Sequence, residues 1–407
     1  MGRLARALSR GQRFVLSGPY GTEVAERLAR DTFERPQKIV GVSVNPHIGA
    51  GCSALLTPQG KIYLHEVASD YIGSTSRGQN LVVVTPTFRL AKQTLEAAAK
   101  VRGWDPRLPA LGLELCLDAL QVAGDAISNS SRERRNTLIA MSVGPPFECY
   151  QGEKTPRDVD GKYLPQVFAA VRFGNPFAYH TLDYLMFETV PSLKAAKGAA
   201  RAFARAHQEL DIDASKANFE NMGTIEYIDS LLSRARFFGP AAPVDIAPSY
   251  DRETGKFPKI DPVIDYVISF CLDKDGKVTD GPPRNLQPPR QIPLNDAIEQ
   301  MYETIEKESL VPPAGIGINC NSPRVTEMAL ASLSPENARR VIGIHPNASS
   351  VDDPREYSHM THQQAIPVEK FVEAVARMTA QYNLKIIGGC CGTNPETMKE
   401  LGKILAN

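Results

Sequence analysis

The chain reads as an α/β protein of the (β/α)8 TIM-barrel class with long loop insertions, on three observations. Eight short apolar, partly β-branched runs recur along the 407 residues, each followed by a stretch of helical character; this is the count and alternation of a parallel barrel. Two runs end in cysteine, at Gly315-Ile316-Gly317-Ile318-Asn319-Cys320 and at Leu384 to Ile387 before Gly388-Gly389-Cys390-Cys391-Gly392, and the C-terminal ends of barrel strands gather on one rim. The length suits one barrel with insertions, so a single domain is expected over 1–407 with its core at about 12–406.

The runs are Phe14 to Leu16, Leu81 to Thr85, Thr137 to Met141, Leu182 to Phe187, Val263 to Phe270, Ala314 to Asn319, Val341 to Ile344 and Leu384 to Ile387. Short, continuous apolar runs are what strands buried on both faces require. Helices are expected over Thr22 to Arg30, Arg89 to Val101, Tyr163 to Phe173, Ser192 to His207, Leu294 to Glu306, Arg324 to Ser332, Pro367 to Tyr382 and Pro395 to Ala406. Pro395 suits a first turn, where its missing N–H costs nothing. Three connections exceed what a barrel needs: 40–80, where Lys61 to His65 reads as an extra strand, 210–259, and the proline-rich 272–293. Long barrel loops serve the active-site face or a homo-oligomer contact.

Lys+Arg and Asp+Glu are equal at 46 each, so no net field recruits nucleic acid or an anionic membrane, and the expected partner is a small molecule. No run reaches the roughly 18 to 20 apolar residues of a membrane helix, and the N-terminus lacks the apolar core of a secretory signal. The seven cysteines, at 52, 116, 149, 271, 320, 390 and 391, are odd in number and scattered, which points to a reducing, cytoplasmic setting. Arg3, Arg6, Arg10 and Arg13 open the chain without an acid; a solvated leading helix is expected there rather than a transit signal.

On such a barrel Cys320, Cys390 and Cys391 meet at the rim. Three thiolates on Zn2+ leave one tetrahedral position open, as a catalytic site requires and a sealed structural site does not. Spacing alone leaves two alternatives beside this: a buried thiol set, or a structural zinc closed by His345, His359 or His362.

Further motifs follow in order: Phe14-Val15-Leu16-Ser17-Gly18-Pro19-Tyr20-Gly21-Thr22-Glu23, Phe187-Glu188-Thr189-Val190-Pro191, Ile268-Ser269-Phe270, Gly317-Ile318-Asn319-Cys320, His345-Pro346-Asn347 and Gly388-Gly389-Cys390-Cys391-Gly392. As an ordered set over nearly the whole chain, they resemble the zinc-dependent homocysteine S-methyltransferases, which include the betaine-homocysteine enzymes and the homocysteine domain of cobalamin-dependent methionine synthase. The resemblance implies one homocysteine-binding barrel in which Cys320, Cys390 and Cys391 hold Zn2+ and Glu188, the catalytic carboxylate, binds the homocysteine amino group. Ser17, Gly18, Tyr20, Thr22, Thr189 and Asn319 complete the implied substrate site, with backbone N–H groups around Gly18 to Thr22 receiving the carboxylate.

The implied reaction is methyl transfer from a sulfonium donor to homocysteine, forming methionine. Zinc deprotonates the acceptor thiol, and four sulfur anions around a dication leave that sulfur nucleophilic. S-Methylmethionine is the expected donor, because the chain resembles the single-domain members without cobalamin or folate modules; S-adenosylmethionine follows, then betaine. Tyr20, Phe88, Phe147 and Tyr357 are candidate aromatic partners for the donor cation. Many members carry aspartate where this chain has Ser17, which opens two further readings: a different thiol or selenol acceptor, or a non-catalytic zinc-binding thiol sensor.

Overall fold

A computed structural model describes residues 2–34, 44, 49–132, 134–173, 182–216, 264–281, 289–353, 356 and 365–406. Its strands are β1 (Phe14–Leu16), β2 (Leu81–Val84), β3 (Thr137–Val143), β4 (Tyr184–Val190), β5 (Asp265–Phe270), β6 (Lys277–Thr279), β7 (Gln291–Pro293), β8 (Gly315–Asn319), β9 (Val341–His345) and β10 (Ile386–Ile387). All but β6 and β7 close into a barrel in the ring order β1-β10-β9-β8-β5-β4-β3-β2, with every neighbouring pair parallel. These are the eight strands expected from the sequence, and the fold is the expected (β/α)8 barrel. β6 and β7 form an antiparallel hairpin in the insertion expected at 272–293.

Side chains alternate across the barrel wall. Leu16, Val82, Val84, Leu138, Ala140, Tyr184, Met186, Val267 and Ile386 form an inner cluster, while Val15, Leu81, Val83, Ile139, Leu185, Phe187, Ile268 and Ile316 belong to the larger core shared with the helices. Glycine lets strands approach where the wall is crowded: a Cβ on Gly317 would lie 2.7 Å from the Ser269 hydroxyl of β5.

The leading helix, Arg3–Ser9, is not the solvated segment expected. Its Leu4 and Ala7 are buried in the inner cluster. The Asp265 carboxylate, at the start of β5, accepts from the Gly2 and Ala5 N–H groups at 3.0 and 2.8 Å, and Arg3 pairs with Asp183 at 2.9 Å. The helix thus plugs the N-terminal end of the barrel, leaving chemistry to the other rim.

Lys61 to His65 is not a strand but part of the helix Pro58–Ser74. Thr57 caps it by accepting from the Gly60 N–H at 3.0 Å, and Tyr63, Leu64, Val67, Ala68, Tyr71 and Ile72 form its buried stripe. Five residues of alternating polarity fit either period; the longer stripe at helical spacing decides. The expected helix at Arg89 to Val101 is shorter, Lys92–Ala99, and precedes an unexpected long helix, Leu108–Ser128. Beyond Lys216, where the helix Leu193–Lys216 ends, the insertion expected at 210–259 lies outside the described residues. Among the described residues, no helix is long and apolar enough to cross a membrane.

Candidate active site

The ends of β8 and β10 deliver the three thiols, and the segment after β9 stitches them together. The Cys320 N–H donates to the His345 carbonyl at 3.2 Å, the Cys390 N–H to the Pro346 carbonyl at 2.7 Å, and the Ala348 N–H to the Cys391 carbonyl at 2.9 Å. The Asn347 side chain closes the stitch, donating from Nδ2 to the Cys320 carbonyl and accepting from the Cys391 N–H, both at 3.0 Å. Asn347 is fully buried. Cys320 and Thr189 both adopt left-handed backbone conformations, with φ of 56°, at a cost of about 1–3 kcal/mol each. Strain of this kind concentrates where a strand end must aim a side chain.

The three sulfurs lie within 4.8 Å of one another, the Cys320–Cys390 pair at 2.8 Å. They form the one such group of potential metal ligands among the described residues. His345, offered by the sequence as a closing ligand, is not in it; His359 and His362 lie outside the described residues. Hydrogen bonds from Cys320 and Cys390 hold the Cys391 thiol below its ordinary range, while those with Cys320 and Cys391 raise Cys390. Cys320 is pushed up to about 12, because the lowering hydrogen bond with Cys390 is outweighed by that with Cys391 and by burial. Thiolates bind zinc at about 2.3 Å, and thiols this close fit a soft dication with only small side-chain movements.

Thr189 and Asn319 spend their polar groups on each other. The Thr189 N–H donates to Asn319 Oδ1, and Asn319 Nδ2 donates to Thr189 Oγ1, both at 2.9 Å. Thr189 Oγ1 in turn donates to the Cys320 sulfur at 3.5 Å. Both residues are buried, so the structure gives them the geometry of supports for the cysteine end. Thr22, in the first turn of the helix Tyr20–Glu34, adds a smaller lowering effect on the Cys391 thiol.

Glu188 is partly buried at the end of β4. Ser142 of β3 donates to its Oε1, and His345 Nε2 lies 3.4 Å from its Oε2; this contact is not aligned as a hydrogen bond. The carboxylate is therefore fixed from one side. Ser17 is buried and its Oγ accepts from the Val84 N–H at 2.9 Å, which anchors it to β2. A Cβ on the next residue, Gly18, would stand 2.3 to 2.5 Å from the ring and hydroxyl of Tyr71, so only glycine fits that turn. Tyr20 opens the helix Tyr20–Glu34. The hydroxyls of Tyr20 and Tyr71 are buried without a hydrogen-bond partner among the described residues.

The candidate aromatic partners divide. Tyr20 is buried, Phe147 packs on the core, and Phe88 carries the guanidinium of its neighbour Arg89 at 5.3 Å from the ring centroid. Tyr357 lies outside the described residues. Sequence reasoning assigned no role to Asn347 or Arg89, and paired no residue with Glu188. Asn347 stood inside a quoted motif; its two-way amide contact needed the third dimension.

A family model described as homocysteine S-methyltransferase matches residues 14–234 and 249–405. The chain belongs to the homocysteine S-methyltransferase family. Homocysteine S-methyltransferase 1 of Zea mays is 30% identical over 96 residues, 23% of this chain and 28% of the relative. Methionine synthase of Mycobacterium tuberculosis (strain ATCC 25618 / H37Rv) is 33% identical over 101 residues, 24% of this chain and 8% of the relative. Selenocysteine methyltransferase of Astragalus bisulcatus is 28% identical over 114 residues, 28% of this chain and 32% of the relative. The chain thus aligns with only about a third or less of these relatives' lengths. In fold it resembles the homocysteine methyltransferase MmuM from Escherichia coli, oxidized form, with a TM-score of 0.56 at 18% identity over 99% of both chains.

Proposed function

We propose that this family member is a zinc-dependent S-methyltransferase that moves a methyl group from a sulfonium donor to homocysteine. The observation that carries the reading is the cluster of Cys320, Cys390 and Cys391, within 4.8 Å of one another on the rim of a chain matched by the family over nearly its whole length. Cys320, Cys390 and Cys391 would hold the zinc, which when bound keeps an acceptor thiol deprotonated at neutral pH.

The remaining steps belong to this chain's own residues. Glu188, oriented by Ser142, receives the homocysteine ammonium. The first N–H groups of the helix Tyr20–Glu34, beside Gly18, are the anion site for its carboxylate. Held at both ends, homocysteine presents its sulfur to the methyl carbon of the donor. A new S–CH3 bond forms as the old C–S+ bond breaks, and its electron pair leaves on a neutral thioether. Favourable positioning of this sort supplies roughly 7 to 11 kcal/mol. No general base is needed. S-Methylmethionine, which would leave as a second methionine, is the leading donor and S-adenosylmethionine the next.

A selenol acceptor is the second reading, favoured by Ser17 in place of aspartate and by the relative named selenocysteine methyltransferase. Assaying zinc-loaded protein with each donor against homocysteine and selenocysteine tests both. Methyl transfer to homocysteine is expected; zinc and thiol binding with no transfer from any donor would instead identify a thiol sensor.

A further inference from the structure

Arg89 follows β2 on the same rim, half-buried, and nothing so far gives it a task. Its Nη2 donates to the Cys149 sulfur at 3.2 Å, and its guanidinium rests on Phe88. An arginine offers five N–H donors in a planar fork suited to a carboxylate, and a neutral thiol is a weak acceptor. Burial pushes the Cys149 thiol up to about 12, so Cys149 supplies no compensating charge at neutral pH. Glu148 acts on Arg89 electrostatically, but no described carboxylate forms an ion pair with it.

The platform beneath Arg89 is rigid. The Gly144 N–H donates to the Phe88 carbonyl at 3.1 Å, and a Cβ on Gly144 would lie 2.6 Å from the Phe88 ring. Thr87 is fully buried and donates from Oγ1 to the Ser142 carbonyl at 2.6 Å. Ser142 is the residue that bonds Glu188, so Arg89 and the proposed ammonium site share one support. Arg89 follows β2 and Cys149 follows β3 at the barrel rim on which the ends of β8 and β10 carry Cys320, Cys390 and Cys391, which sets the guanidinium on the same face of the barrel as the thiol cluster. The Phe88 face, suited by its chemistry to a donor cation, is occupied by the protein's own cation. A sulfonium is repelled from this edge of the site and a carboxylate drawn to it.

We propose that Arg89 is the carboxylate anchor of the methyl donor: it binds the α-carboxylate of a sulfonium amino acid and so directs the sulfonium end toward the thiol. The proposal rests on the methyltransferase reading above. It also makes the donor a carboxylate-bearing one.

The test compares zinc-loaded full-length wild type with Arg89→Met, Arg89→Lys and Cys149→Ser, using S-methylmethionine and homocysteine. Each substrate is matched by its analogue without a carboxylate, (3-aminopropyl)dimethylsulfonium and 3-aminopropane-1-thiol. Loss of a charge-assisted carboxylate contact predicts a KM for S-methylmethionine about tenfold to a hundredfold higher in Arg89→Met. With it go an unchanged homocysteine KM, partial rescue in Arg89→Lys, near-normal Cys149→Ser, and equal use of the carboxylate-free donor by all. Unchanged KM values, an equal loss with the carboxylate-free donor, or the same defect in Cys149→Ser would overturn the anchor. A rise confined to homocysteine would overturn the donor assignment and move the anchor to the acceptor. Calorimetric binding of both ligands reads Arg89 without turnover. Arg89-dependent affinity with no methyl transfer by wild type removes the enzymatic reading and retains a carboxylate anchor; transfer with Arg89-independent affinity does the reverse.

Discussion

Asn347 grips Cys391: its side-chain oxygen accepts the Cys391 N–H at 3.0 Å, while its amide nitrogen donates to the Cys320 carbonyl at the same distance. One buried side chain thereby fixes the spacing of two chain segments 71 positions apart in sequence. The thiol cluster is held by backbone contacts that need no metal.

Asn347→Ala is expected to leave all three thiols present but loosely spaced. Zinc affinity should fall about 10- to 100-fold, the range for lost outer-shell support. Competition against a chromogenic chelator measures it. An affinity equal to wild type would show that the stitch does not position the ligands.

Because the stitch is independent of the metal, removal of zinc by chelation should abolish methyl transfer while far-ultraviolet circular dichroism stays unchanged, and added zinc should restore activity. Cys390→Ser should not be restored. A zinc-free protein that retains activity, or one that unfolds on chelation, would contradict the arrangement of site on scaffold described here.

Glu188→Gln keeps the volume and the Ser142 contact but removes the charge offered to an ammonium. Homocysteine should bind about tenfold to a hundredfold more weakly, with zinc content unaltered. The control acceptor is 4-mercaptobutanoate, which is homocysteine without its amino group and should be used equally by both proteins. Preferential turnover of that thiol by wild type would contradict the role given to Glu188.

Gly18→Ala places a methyl group 2.3 Å from the Tyr71 ring. Overpacking of this kind costs about 1–3 kcal/mol, read as a lower midpoint in thermal unfolding, with weaker homocysteine binding as the turn is displaced. A variant as stable as wild type would mean that Tyr71 yields freely.

The parts of this molecule legible in the sequence were those set by periodicity and by chemically distinctive residues. The apolar runs of β3, β5 and β8 carry their own burial signal, and Cys320, Cys390 and Cys391 are conspicuous at strand ends. Lys61 to His65 misled because five residues cannot distinguish a period of two from 3.6, and Leu108–Ser128 was missed because the barrel pattern reserves one helix for each strand. Asn347 and Arg89 were illegible for another reason: an asparagine after a strand or an arginine in a loop is ordinary until its partners from distant segments are known.

X-ray absorption at the zinc edge, with and without homocysteine, tests the central claim most directly. Binding through Cys320, Cys390 and Cys391 predicts a shell of three sulfurs and one light atom that becomes four sulfurs when homocysteine is added. A shell unchanged by homocysteine, or metal-replete protein that holds no zinc, would contradict it.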